Sequence, residues 1–518
     1  MSNPLSRRNG NWIYPLSIGV VIGALVAGLT YRISPELKPG GAASTGAIGG
    51  EQPGGTTPLP GESGGPGASA APGVVGPGRG GVPTAGPGAP LPGASGGPSG
   101  PGGGNGGGLT ATDVGVSAST IKIGVALLDL GGASASGAAV PGFDPKVQRH
   151  QWEVFIKDLN DHGGILGRKV QAYFRKVDPI SPQTQQAACV EFTQTLRVFL
   201  VFDTASAMGA DADLCVAAQN RTLLLGGSIT PAEYYRAARG LLITNVATGT
   251  RVGRAWARTM EKIGKLKGKK LGLLVDQGTI DNIVKAGLIP ELRRLGYSFA
   301  YTAVVSNDAS QGPSQVPSQV LQMQRAGVDT VFMASAFFNM TAFVNQAEKQ
   351  QWRPQYIVSD LDGGDVATLL NGMPESFDGT VATTYFFPGI SAKFPESSTG
   401  RVCRERWKKL TGETLKPGDT DYGPMTGNCG SVDFLKTVGT KTGTTLTRGG
   451  FSAAVQGLGK SYDYGGLGGS FGPGKTDYND IVRTMVWGPK QPDTDSAYCT
   501  SNGSRCFNAG IPPYDPGV

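Results

Sequence analysis

The chain has 518 residues, 46 Lys and Arg against 39 Asp and Glu, and a net charge of +7. So mild a basic excess, with its densest lysines (Lys262, Lys265, Lys267, Lys269 and Lys270) at the end of one predicted helix, excludes an evident nucleic-acid surface. Six cysteines without a C-x-x-C and only two histidines, His150 and His162, argue against a Cys/His zinc site.

Residues 1–11 carry Arg7 and Arg8 and no acid, and read as a cytoplasmic tail. Trp12 to Tyr31 follow as an uncharged apolar run long enough to cross a bilayer, with Trp12, Tyr14 and Tyr31 at its ends, and residues 12–32 read as the anchor. An uncleaved transmembrane anchor is the expectation; a cleaved signal peptide is the alternative, which would make the protein secreted. Residues 33–112 are rich in Gly, Pro, Ala and Ser and almost devoid of large apolar side chains. Such a segment cannot bury enough surface to offset its chain entropy, so it reads as a disordered linker. The order implies a single-pass cell-membrane protein whose C-terminal domain is extracytoplasmic.

From Thr120 onward, strands and helices alternate. Ile121–Leu128 is a continuous apolar strand. Trp152, Phe155, Ile156 and Leu159 then recur at i, i+3, i+4 and i+7, one face of a helix that Gly163 and Gly164 stop. Lys169–Val177 is a strand ending before Asp178. A helix over Gln183–Thr195, a strand over Val198–Phe202, a helix over Ala210–Asn220 and the strand Leu223–Leu225 complete a first lobe, 113–249, which Leu241–Val246 closes. A second lobe, 250–380, holds a helix through Trp256 and Met260 and the strands Leu271–Val275, Phe299–Val305, Val331–Met333 and Tyr356–Val358. Val381–Phe387 reads as a connection back, and residues 381–480 return helices to the first lobe. Ile481–Trp487 is a last crossover strand, and the tail to residue 518 reads as loop. Alternating strand and helix argues for α/β architecture: two doubly wound parallel-sheet lobes joined by a multi-strand hinge.

The cysteine spacing favours three local pairs: Cys189 with Cys215, Cys403 with Cys429, and Cys499 with Cys506. Three disulfides imply an oxidising compartment.

The stretch Asn160-x-x-Gly163-Gly164-Ile165-x-Gly167-Arg168-x-Val170, ending at Asp178, resembles the first helix–strand unit of the type I periplasmic solute-binding proteins. These are the branched-chain amino acid (Leu/Ile/Val) binding family that feeds ABC importers. The resemblance spans roughly residues 118–488. It implies an interlobe cleft that closes on a small ligand, an ABC permease as partner, no cofactor and no catalysed reaction.

Two motifs suggest enzymes and fail on context. Gly469–Thr476, GSFGPGKT, fits G-x-x-x-x-G-K-S/T, but a glycine-rich loop precedes it where a buried strand is required, and Pro473 removes a needed amide. Gly468–Gly472 fits G-x-S-x-G around Ser470, yet no histidine follows His162 to complete a triad.

Ligands of open α/β sheets sit beyond the carboxyl ends of the strands. The loops there combine small residues with hydroxyls: Thr204, Ala205 and Ser206 after the third strand, and Gly227, Ser228 and Thr230 after the fourth. Such loops can equally be tight βα turns; in the resembled family they hold the ligand carboxylate. In the second lobe Gln277 and Thr279, Ser335 and Phe337, and Asp360 and Asp362 occupy equivalent positions. The resemblance assigns an acid there, Asp360 or Asp362, to the ligand ammonium. Phe337 and Phe338 stand where the family favours tyrosine, no aromatic lies near Thr279, and Ile229 falls near the place of a hydroxyl. These departures point away from an α-amino acid and leave the fold expectation intact. The expected ligand is amino acid-like or a small carboxylate or amide. The alternatives are a sensing receptor ectodomain, or a ligand-free surface protein on the same fold.

Overall fold

The structure is a computed structural model that describes residues 109–129 and 144–518, apart from 179–180, 309–310, 362–363, 366, 371, 386–395, 418, 420, 461, 463, 465–466, 495–497 and 501. The expected anchor and nearly all of the linker lie outside the described residues, as does Asp362. Among the described residues no helix is long and apolar enough to cross a membrane.

The first sheet is parallel throughout, in the order β2-β1-β3-β4-β5. Its strands are β1 (Thr120–Leu128), β2 (Lys169–Val177), β3 (Leu200–Asp203), β4 (Leu223–Gly226) and β5 (Leu242–Ile243). Ile121, Ile123, Val125 and Leu127 are buried, and so are Ala126 and Leu128 on the other face, because helices cover both sides. Helix α1 (Pro145–Asp161) starts at the Asp144 cap with Pro145 in its first turn, and buries Trp152, Phe155, Ile156 and Leu159. Gly164, at φ +66, ends the elbow: a Cβ there would lie 2.0 Å from Arg168 O. The buried Arg168 donates to Ser117 O (2.8 Å), Thr110 O (3.0 Å) and Thr444 O (3.0 Å). Residues 109–112, read as linker, are thereby part of the folded domain; one buried guanidinium recruits them, which composition alone does not reveal.

Helices α2 (Pro182–Val190) and α3 (Gly209–Leu214) flank β3, and the Cys189–Cys215 disulfide joins the segment of α2 to the turn after α3. The pairs Cys403–Cys429 and Cys499–Cys506 also form. Helix α4 (Ala232–Ala238) precedes β5, and α5 (Gly249–Lys262) enters the second lobe.

The second sheet runs β12-β11-β10-β9-β8-β6-β7. It comprises β6 (Leu271–Asp276), β7 (Phe299–Val305), β8 (Thr330–Ala334), β9 (Gln355–Ser359), β10 (Val381–Thr384), β11 (Arg483–Pro489) and β12 (Arg505–Ala509). Helices α6 (Thr279–Ala286), α7 (Leu288–Arg294), α8 (Gly312–Arg325) and α9 (Phe337–Lys349) lie between its first strands. Two assignments differ from the sequence reading. Residues 381–384 form a strand parallel to β9 rather than only a connection. The tail is not all loop: β12 pairs antiparallel with β11, where Phe507 packs edge-on against Trp487 at 5.1 Å. A tertiary partner strand decides both, and period-2 patterning in so short a run does not expose it.

Helices α10 (Ser398–Thr411), α11 (Tyr422–Thr442) and α12 (Arg448–Gln456) lie on the first lobe. Arg406 bridges Asp433 and Asp158, Asn428 donates to Gln151 (2.9 Å), and Phe451 packs against Phe199.

Candidate functional site

The carboxyl ends of β3 and β4 bring the first group of expected residues together. Thr204, Ala205 and Ser206 are buried, with Ala205 and Ser206 at φ +53 and +58, so the loop turns sharply after Asp203. Ser206 Oγ donates to Gly227 O (3.0 Å), joining the two loops. Thr204 Oγ1 is buried and has no hydrogen-bond partner among the described residues, an uncommon state for a hydroxyl. Ser228 N donates to Asp213 Oδ2 (3.0 Å), and Thr230 O accepts from Gly249 N (2.9 Å) at the start of the second lobe.

Behind these loops lie two acids. Asp203 ends β3 and accepts from Met208 N (3.0 Å); Asp213 sits on α3 and is fully buried. Burial raises the Asp203 carboxyl to about 7 and raises Asp213 well above the usual carboxylate range, where Asp203 adds repulsion.

In the second lobe the expected residues separate. Gln277 is exposed, and Thr279 and Phe337 are half-buried at the starts of α6 and α9. Ser335 is buried and its hydroxyl donates to Asp276, which also accepts from Ala336 N (2.7 Å) and Asn339 Nδ2 (2.8 Å). Burial raises the Asp276 carboxyl against those three bonds. Asp360, following β9, accepts from Tyr385 N (2.9 Å) and is 1% exposed. Burial, then the neighbouring Asp365, raises it well above its ordinary range, favouring the neutral acid. Burial raises Asp365 to about 7 and lowers the nearby Arg483 to about 10.

Three crossing segments meet between the lobes. Thr244 pairs with Asp477 as a parallel bridge, Asn479 Nδ2 reaches Tyr385 O (3.5 Å), and Tyr385 OH reaches Arg251 O (3.5 Å). Arg251 binds Asp477 (2.6 Å) and Asp480, while Lys475 folds onto Ser470 O, Asp477 O and Asp480. The lysine of the GSFGPGKT run is thus spent on its own chain. Ser470 donates to Asp480 Oδ2 (2.5 Å), and both histidines are exposed on or just after α1, so neither enzyme motif has its machinery. Cys403, Cys429 and Asp433 cluster, but a disulfide leaves no thiolate for a metal.

Sequence reasoning missed Asp213, Asp365, Tyr385, Asn339 and the Arg251 network. One signal was available: Asp203 and Asp276 end buried parallel strands and Asp360 follows one, and all three are buried. A cavity of about 390 Å³ lies elsewhere, between Leu370, Met373, Trp487 and the Cys499–Cys506 loop, at the end of the second sheet where β10 begins.

The periplasmic binding protein family profile matches residues 120–485. Among curated proteins, none matches the sequence. Solved structures share the fold. A solute binding protein of an ABC transporter from Rhodopseudomonas palustris, in complex with 3,4-dihydroxybenzoic acid, aligns with a TM-score of 0.52 at 18% identity, over 77% of this chain and 98% of that one. A leucine binding protein from Thermotoga maritima gives 0.51 at 14% identity, over 76% and 99%. A fatty acid ABC transporter substrate-binding protein from Thermomonospora curvata gives 0.51 at 16%, over 78% and 95%.

Proposed function

From the premise that this chain belongs to the periplasmic binding protein family, of the Leu/Ile/Val-binding type, we propose that it captures a small carboxylate between its lobes and delivers it to an ABC permease. It works by binding and closure, without a catalysed reaction. The carrying observation is the joined pair of loops at 204–206 and 227–230, which presents the unpartnered Thr204 hydroxyl beside tight backbone turns. Leucine, 3,4-dihydroxybenzoic acid and a fatty acid, named for three structural neighbours, share a carboxylate and little else. An acid lacking an amine is favoured over an α-amino acid, because burial raises the Asp360 carboxyl well above its ordinary range, which disfavours the ionised form that an ammonium group would pair with, and Tyr385 N already binds one of its oxygens. Residues 12–32 serve in this reading as the membrane anchor and the Gly/Pro-rich segment as a tether outside the cytoplasm.

A thermal-shift panel of the full chain tests the ligand class, with leucine, 3,4-dihydroxybenzoate, 4-hydroxybenzoate, octanoate, alkylamines and sugars. A ligand at 100 times its Kd adds about 2.7 kcal/mol, readily visible as a raised Tm. Stabilisation by one or more carboxylates is expected; stabilisation by amines or sugars alone would discard the proposal. Retention of the chain in alkaline-washed membranes, lost on deleting residues 1–32, tests the anchor.

A further inference from the structure

The cavity of about 390 Å³ in the second lobe takes no part in the ligand reading. Its place follows from strand direction. Trp487 N donates to Thr380 O (2.9 Å) and Gly379 N to Trp487 O (2.8 Å), so the indole stands beside the amino end of β10. Strands β6, β8, β9 and β10 run parallel, and the cavity therefore lies at the opposite end of the sheet from Asp276, Ser335 and Asp360.

One wall is apolar. Leu370 and Trp487 are buried and Met373 is half-buried beside them. Phe507 at 5.1 Å and Phe377 at 6.1 Å pack edge-on against the indole and fix its orientation. The other wall is the loop that the Cys499–Cys506 disulfide closes, and its polar groups are already paired. Thr500 Oγ1 and Ser504 Oγ each donate to Asn502 Oδ1 (both 2.7 Å). Arg505 donates from Nε to Asp378 Oδ1 (3.0 Å) and from Nη2 to Glu375 Oε1 (3.1 Å), so two carboxylates outweigh the one guanidinium. Trp487 Nε1 is the exception. It is buried and has no hydrogen-bond partner among the described residues, although an indole N–H can only donate and buried donors are nearly always paired. The cavity thus combines an apolar wall, no excess positive charge and one unspent donor.

We propose that this cavity is a second ligand site, which takes a small uncharged molecule with an apolar ring-sized body and a ketone, ester or amide oxygen that accepts from Trp487 Nε1. Its volume lies within the range of small-molecule sites, about 300–1,000 Å³. An anion is disfavoured because Asp378 and Glu375 stand at the rim, and those acids are held by Arg505 rather than offered to a cation. The site is independent of the carboxylate site between the lobes: neither reading needs the other.

Indole N–H signals of the full chain, labelled with nitrogen-15 tryptophan, read the site directly. Trp487→Phe identifies the Trp487 signal by its loss, and a nitroxide on Ser504→Cys at the exposed rim identifies it independently by broadening. The probes are 2-acetonaphthone, 2-ethylnaphthalene, which has nearly the same shape but no acceptor, and 2-naphthoate, each at a free concentration fixed by dialysis. The ketone is expected to shift the Trp487 signal and to bind there about tenfold more tightly than the hydrocarbon, the worth of about one hydrogen bond. In Trp487→Phe the two are expected to bind equally. 2-Naphthoate is expected to act on the Trp487 signal more weakly than the ketone, whatever it does between the lobes. A Trp487 signal that the ketone leaves in place overturns the proposal. So do equal wild-type affinities for ketone and hydrocarbon, or tighter binding of 2-naphthoate at Trp487. These wild-type comparisons decide the matter even where Trp487→Phe fails to fold.

Discussion

Arg251, in the first turn of α5, pairs with Asp477 on the last crossover segment at 2.6 Å, the two side chains being 13% and 5% exposed. The same guanidinium holds Asp480, so one residue of the second lobe ties down the segment that crosses between lobes. Removing one partner of a buried pair costs about 3–5 kcal/mol where the other charge is left uncompensated, and the cost here falls toward the lower end because Lys475 stays beside Asp477 and Asp480. Arg251→Ala is expected to lower the urea midpoint strongly, with Arg251→Lys intermediate; equal midpoints for all three proteins would contradict the role.

Thr204→Val removes the unpartnered hydroxyl at nearly constant size. The ligand-free protein loses no hydrogen bond, so its Tm is expected to hold or rise slightly. Affinity for the best carboxylate of the panel is expected to fall roughly tenfold, the worth of about one hydrogen bond. Calorimetric titration separates the two effects.

Several buried acids give stability a definite pH slope. Asp203 and Asp365 are raised to about 7 by burial, above their unfolded value of 3.8. Between those values the native state holds protons that the unfolded chain has released, so stability falls as pH rises. The contribution is complete below about pH 4 and lost as pH climbs through about 7. Denaturation midpoints at pH 5.5 are expected to exceed those at pH 8, and the reverse order would show that other groups dominate.

Gly227→Ala and Gly163→Ala form a matched pair. Both glycines have positive φ, +101 and +93, but a Cβ at Gly227 meets Asp213 Oδ2 at 2.7 Å, whereas nothing lies within 4 Å at Gly163. Backbone strain alone costs about 1 kcal/mol, so Gly163→Ala should lose about that much. Gly227→Ala should lose clearly more and should weaken carboxylate binding as well, as read by urea denaturation and the thermal-shift panel.

Replacing Cys189 and Cys215 by Ser opens a loop with a sequence separation of 26 residues. The chain-entropy estimate for such a loop is about 3 kcal/mol, and a drop of that order in unfolding free energy is expected. A negligible drop would place the disulfide's role outside stability.

Much of this protein was legible in its sequence. The apolar period of Trp152, Phe155, Ile156 and Leu159, the glycine stop after it, and the alternation of strands with helices pointed to two parallel sheets, because such patterns are local and repeat over many residues; the first sheet is parallel throughout, whereas the second is mixed, its β11 running antiparallel to β10 and β12. Equal cysteine spacings pointed to the pairs that form. The hydroxyl loops were visible as short runs of small residues at strand ends, a position that backbone topology alone dictates.

The tertiary structure decided what depends on neighbours distant in the chain. Whether Ser335 faces a ligand or Asp276, and whether Asp360 is a free carboxylate or a buried acid against Tyr385 N, follows from side chains far along the sequence. The strand at 381–384 and the hairpin of β11 and β12 needed partners to exist as sheet. Asp203 and Asp213 lie ten positions apart on a strand and a helix, and nothing in their spacing announces that both are buried. Burial and the approach of one acid to another set a carboxyl's charge, and both are properties of the packed chain rather than of the residue.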